Sequence, residues 1–229
     1  MLNSFQIKII ALSAMVIDHV GMFFLPDISL FRMVGRISFP LFAWLVGNGA
    51  HHTKNIKAYA TRLLIFALIS QIPYLAANRL VVDGFFRLNI LFTLFLGTIA
   101  IYFLKVGINP VLKWGAPLVL AVVSHLIQAD FGFTGVLMVV AFYVFYRHFR
   151  KTSLALSAIA LVNLIASAKP GAGIISVDIS QVIGLLALPI IWAYNQQQGP
   201  KAKHLFYVFY PTQYILLYAI KLLLKSRAV

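Results

Sequence analysis

The sequence contains no cysteine and no glutamate, and its only acidic side chains are five aspartates. Without cysteine the chain has no disulfide, no thiolate nucleophile and no Cys-based metal site. With so few acidic groups it also lacks the polar surface of a soluble domain. Charged residues make up 10% of the chain against 62% hydrophobic and 14% aromatic, and the mean hydropathy is +0.92. The residue alternation of an outer-membrane barrel is missing. So are the G-x-S-x-G, H-E-x-x-H and P-loop patterns, which argues against hydrolase, zinc protease and nucleotidase readings. No histidine or aspartate spacing resembles a metal motif, so no metal is expected.

What is present is continuous apolar sequence of helix length. Nine stretches stand out, near 5–25, 31–50, 58–77, 88–106, 112–129, 132–147, 152–168, 179–195 and 205–224. They are joined by short turn-forming links such as Leu25-Pro26-Asp27 and Lys169-Pro170-Gly171. This predicts an all-α fold: a polytopic transmembrane helical bundle of about nine spans, with residues 1–229 as a single integral-membrane domain. The first stretch lacks a small-residue cleavage site, so it is expected to be retained as a span. The net charge of +14 is read as topology signal and attraction to anionic membrane lipids. No soluble basic domain exists to hold nucleic acid. Lysine and arginine concentrate in the links on the side of the N-terminus, including Lys54, Lys57, Arg150 and Lys151, which places that terminus inside.

Asp18-His19, deep in the first stretch, is the feature most pointed towards chemistry. Ionisable groups within a span are costly and read by default as functional. His19 can serve as a general base on an amine or hydroxyl, with Asp18 orienting it or capping local charge. The competing reading is a structural pair that ties the first helix to an arginine. Arg32 and Arg36, four apart, can grip one anion from a shared helical face, or snorkel to lipid headgroups. Gln71, beside Pro73, is a candidate lining residue. Asn89 and Thr93 are also four apart and can act as interhelical hydrogen-bond glue. His125, Gln128 and Asp130 form a possible second polar site. Arg62 reads as topological. Gly47, Gly49, Gly132 and Gly135 permit close helix approach.

At these residues the chain resembles the TraX family of conjugal-pilin acetylases. The stretches that carry the resemblance are Met15-Val16-Ile17-Asp18-His19, Gly35-Arg36-Ile37-Ser38-Phe39-Pro40-Leu41-Phe42, Arg62-Leu63 with Ser70-Gln71-Ile72-Pro73-Tyr74, Asn89-Ile90-Leu91-Phe92, Phe131–Met138 and Phe209-Tyr210. The resemblance implies a multi-pass protein of the bacterial inner membrane that acetylates the N-terminus of a pilin subunit, with acetyl-CoA as acyl donor. Carried over by position, His19 is the base, Asp18 its partner, and Arg36, with Arg32 less firmly, a phosphate or carbonyl contact. Gln71, Asn89, Tyr210 and Gln213 are the further substrate-binding candidates. One departure stands out: relatives often have a histidine three residues after the tyrosine of the last span's Phe-Tyr pair, and here that place holds Gln213.

Three readings follow. The first is acetyl-CoA-dependent acyl transfer to a pilin amine. The second keeps amine-on-carbonyl chemistry but closes the pilin head-to-tail, or O-acylates a lipid or sugar. The third is a non-catalytic pilin chaperone or a transporter; against a transporter, no inverted repeat is evident. The acceptor and the oligomeric state are not encoded in any motif.

Overall fold

The computed structural model describes residues 1–106, 109–167, 169–171, 174–176, 180–201 and 203–226. Its helices are α1 (Ser4–Phe24), α2 (Ser29–Gly35), α3 (Ser38–His52), α4 (Ile56–Arg79), α5 (Ile90–Val106), α6 (Pro110–Leu126), α7 (Gly132–Val144) and α8 (Phe149–Ser167). After a small antiparallel hairpin (β1, Lys169–Gly171; β2, Ile174–Ser176) come α9 (Ser180–Ile183), a 3-10 turn (Gly184–Leu186), α10 (Ala187–Trp192) and α11 (Lys203–Ser226). Apolar runs give the helices their length, and asparagines start three of them. The side chains of Asn3, Asn55 and Asn109 accept from the backbone N–H groups of Gln6, Ala58 and Leu112 at 2.9, 2.9 and 2.7 Å. Each thereby satisfies an N–H that the first helical turn would leave unpaired. Gln6 returns the bond to Asn3 N at 2.9 Å, which completes a capping box.

The fold is all-α, and the nine apolar stretches of the sequence each correspond to helix in the expected order. Two of them are not continuous. The second breaks at Arg36-Ile37, between α2 and α3, and the eighth is assembled from α9, the 3-10 turn and α10. Among the described residues, five helical segments are long and apolar enough to cross a membrane: Ser4–Phe24, Ser29–His52, Ile56–Arg79, Phe149–Ala166 and Phe206–Ser226. The helices α5, α6 and α7, with 17, 17 and 13 residues, are shorter. At 1.5 Å per residue they cover roughly 20–25 Å of the ~30 Å hydrocarbon thickness.

Helix α3 sits at the centre, packed against α1, α5, α7 and α10. Leu41, Ala43 and Ala50 on α3 are fully enclosed, as are Ile7 on α1, Ile101 on α5 and Val139 on α7. The outer faces of the bundle are as apolar as its core: Ile72, Val111, Leu154 and Trp192 all point outward, which suits a surround of lipid.

The tightest junction joins α1 to α2. A Cβ at Gly35 would run into the Asp18 side chain, and one at Gly21 into Phe31. By contrast, nothing lies within 4 Å of a Cβ at Gly115 on α6. Gly35→Ala is therefore expected to lower stability by about 1–3 kcal/mol through overpacking, while Gly115→Ala leaves it level or slightly raised. Unfolding of the two variants in detergent, followed by circular dichroism, checks the contrast.

Candidate functional site

A cavity of about 260 Å³ opens between α1, the α2–α3 break, α4 and α11. The links α4–α5 and α6–α7 cover one end of it with Phe85, Arg87, Asp130 and Phe131. Asp18 and His19, adjacent on α1, diverge as a helix requires and are used in opposite directions. Asp18 Oδ2 accepts from Arg32 Nη1 on α2 at 2.8 Å, the only ion pair among the described residues. Its Oδ1 is buried without a partner. His19 turns to α11, where Nδ1 lies 2.7 Å from Gln213 Nε2 and Nε2 lies 2.9 Å from the Tyr214 hydroxyl. It is 8% exposed and faces the bundle interior, away from lipid.

The Gln213 amide governs which nitrogen of His19 carries the proton. With Nε2 of Gln213 donating to Nδ1, the ring donates from its own Nε2 to the Tyr214 oxygen. With the amide turned over, Oε1, which has no partner as placed, accepts from Nδ1–H, and Nε2 becomes free to take a proton from Tyr214. A glutamine thus serves either tautomer.

Arg36 ends α2 in the break and lines the cavity, and its Nε is buried without a partner. Ser38 Oγ donates to Ala11 O at 2.9 Å and fixes the start of α3 against α1. Phe39 stacks on Phe131, with ring centroids 3.9 Å apart. Phe131 adopts a left-handed backbone conformation (φ +60°), as does Gln128 (φ +54°). Such strain in non-glycine residues persists only where the surroundings enforce it. Here the Thr93 hydroxyl bonds to Asp130 O, and Asp130 N donates to Leu88 O at 2.9 Å. Asp130 lies in the α6–α7 link, where burial raises the pKa of its carboxyl and the Arg87 guanidinium opposes that rise.

Of the residues singled out by sequence, the structure brings Asp18, His19, Arg32, Arg36 and Tyr210 together on the cavity wall, with Gln213 directly behind His19. Gln71 and Asn89 lie outside the lining. Asn89 Nδ2 donates to Ala67 O at 2.7 Å and to Gln71 Oε1 at 2.8 Å, and its Oδ1 accepts from Leu91 N at 3.0 Å. Gln71 Nε2 donates to Arg87 O at 2.8 Å. The two side chains knit α4 to the start of α5 and so position Arg87. The group His125, Gln128 and Asp130 does not assemble: the first two are exposed, and Asp130 joins the main cavity. Thr93 bonds across to the α6–α7 link, as its spacing suggested. Sequence reasoning missed Asn78, Arg87 and Tyr214 as wall residues. Two were visible as spacing, since Asn78 follows Tyr74 by four and Tyr214 follows Tyr210 by four, one helical turn each. Among the described residues, no three histidine or aspartate side chains converge as metal ligands.

Fold and site together define a polytopic helical membrane protein with a charged, histidine-walled cavity inside its bundle. The sequence model described as TraX protein matches residues 4–221, and the chain belongs to the TraX family. It is 28% identical over 239 residues to a probable fimbrial assembly protein FimC, serogroup H1, of Dichelobacter nodosus, with 97% of each chain covered. It is 29% identical to Protein TraX of Escherichia coli over 185 residues, 79% of this chain and 69% of that one. An uncharacterized Rickettsia prowazekii (strain Madrid E) protein, RP591, is 30% identical over 103 residues, 45% of this chain and 38% of its own. No solved structure matches the chain.

A positioning role for Asn89 makes a specific prediction. Asn89→Leu strands Leu91 N inside the bundle and cuts the ties to Ala67 O and Gln71 Oε1, and should destabilise the protein by about 1–3 kcal/mol for the unpaired group. Arg36→Gln should leave the thermal midpoint nearly unchanged. Thermal unfolding in detergent of the two variants separates a structural residue from a ligand contact.

Proposed function

We propose that this protein is an acyltransferase of pilus biogenesis in the bacterial inner membrane, and that it moves an acetyl group from acetyl-CoA to the N-terminal amine of a pilin. The observation that carries the reading is the His19–Tyr214–Gln213 cluster, set in the wall of a cavity that also holds an unpartnered Arg36 Nε. The name of one relative, a probable fimbrial assembly protein, supports the choice of a pilin as acceptor.

In this reading the neutral amine of the acceptor attacks the thioester carbonyl carbon, and an N–C bond forms while the C–S bond breaks. Arg36 is the donor to the oxyanion that develops on the carbonyl oxygen. The proton leaving the amine passes to the Tyr214 oxygen as Tyr214 gives its own to His19 Nε2, with His19 Nδ1–H held by Gln213 Oε1. The departing thiolate takes up that proton and leaves as the thiol of CoA. Asp18, tied to Arg32, balances charge beside the ring and does not itself transfer the proton. Amine-on-carbonyl chemistry also fits head-to-tail closure of the pilin, and the products distinguish the two.

Intact mass of a co-expressed pilin tests the proposal. The expected result is a gain of one acetyl group, abolished by His19→Ala at equal protein level and lowered about 10²-fold or more in rate by Tyr214→Phe. Loss of one water would assign cyclisation instead. An unchanged mass with the wild-type protein would remove acyl transfer to pilin.

A further inference from the structure

A second cavity, of about 440 Å³, lies along the same helices nearer the N-terminal face of the bundle. It is walled by the opening turns of α1, α4 and α11 and the closing turns of α3, so the two cavities stand end to end. Phe42 lines both. From His19 back to Lys8 the helix α1 rises about 16 Å, a distance that an extended pantetheine arm covers.

The chemistry of the second cavity differs from that of the first. Lys8 and Arg62 stand in its wall beside the rings of Phe206, Tyr59 and Tyr207, with Lys8 Nζ 5.2 Å from the Phe206 centroid and the Arg62 guanidinium 5.8 Å from that of Tyr59. Asn48 is 4% exposed, lines the cavity, and has a side-chain oxygen without a hydrogen-bond partner. Among the described residues no carboxylate lines it. The described aspartates, Asp18, Asp27, Asp83 and Asp130, all sit in the other cavity or at the other end of the bundle. The face onto which the second cavity opens therefore carries Lys54, Lys57, Arg150 and Lys151 with no described acidic side chain to offset them. Such a one-signed mouth concentrates anions. Aromatic rings beside guanidinium and ammonium groups accept a planar base, and a buried orphan oxygen calls for an amide N–H.

We infer that this cavity is the docking site of the acyl donor: it takes a nucleotide-bearing, amide-containing anionic thioester of the coenzyme A type, and Phe42 is the partition past which the acyl group reaches His19. The inference rests on the acyltransferase reading and adds the place where the donor sits, apart from the acceptor. Phosphate chemistry of this kind is shared with anionic lipid headgroups, which the test must separate.

The experiment measures binding of radiolabelled coenzyme A to the full-length protein in detergent, with and without phosphatidylglycerol in the micelles. Saturable binding is expected in both. It should weaken about tenfold or more in Arg62→Gln and in Asn48→Leu, recover in Arg62→Lys, and hold in His19→Ala. Each variant is first matched to wild type by thermal unfolding. Phe42→Trp should slow acetylation of the pilin more than it weakens the binding of coenzyme A. Loss of binding in Arg36→Gln, with Arg62→Gln and Asn48→Leu unaffected, would place the donor in the His19 cavity and overturn the inference while acyl transfer stands. Displacement of all bound coenzyme A by phosphatidylglycerol would assign the cavity to a lipid headgroup. Absence of coenzyme A binding would also overturn the inference, and a parallel assay of pilin mass then shows whether the acyltransferase reading falls with it.

Discussion

A helix interrupted at membrane depth must give its freed backbone groups new partners, because lipid offers none. The break between α2 and α3 meets this requirement within the protein. Arg36 N and Ile37 N donate back to Met33 O and Val34 O at 3.2 Å each, and the flanking Ser38 bonds to α1. Around this break the cavity takes its shape. It swings Arg32 towards Asp18, brings Arg36 into the wall, and sets Phe39 under Phe131. Gly35 makes it possible by letting α2 lie against the Asp18 side chain.

The site is assembled from the two ends of the sequence. His19 on α1 meets Gln213 and Tyr214 on α11, almost two hundred residues away. Both of its ring nitrogens are engaged, so the imidazole is held in one orientation and its tautomer is coupled to a single amide. A fixed ring with a switchable proton suits a group that must accept a proton and then return it. At the opposite end of the bundle α1 meets α11 again, where the rings of Phe5 and Phe206 pack edge to face with centroids 6.1 Å apart. There Leu2 pairs with the link before α11 through Ala193 and Asn195, at 2.6 and 2.8 Å. The two halves of the His19 cluster are thus held to one frame at both ends.

Much of this was legible in the sequence. Apolar runs set the order of the helices, and the rarity of charge made Asp18, His19, Arg32 and Arg36 conspicuous. The breaks were not legible, because α2 and α3 read as one apolar run: Arg36 stands out as an anion contact, but its place in the cavity wall depends on a turn that the run conceals. Nor was the division of labour among amides. Gln71 and Asn89 carry the same groups as Gln213, and only the fold shows that the first two bond to each other and to backbone while the third bonds to His19. Arg87 was hidden for a related reason, since its place in the wall is set by a link whose path depends on Gln71 and on pairing with residues 128–130.

The interlock of Phe39, Thr93, Phe131 and Gly135 has an evolutionary reading. A Cβ at Gly135 would strike the Thr93 methyl, the Phe131 Cβ and the tip of the Phe39 ring together, and Phe131 is already held in a backbone state that few residues accept. A replacement at one of these positions alone leaves a gap or a collision that the other three must absorb. Over long divergence the four are therefore bound to a common history, and lineages that repack this corner must pass through paired changes.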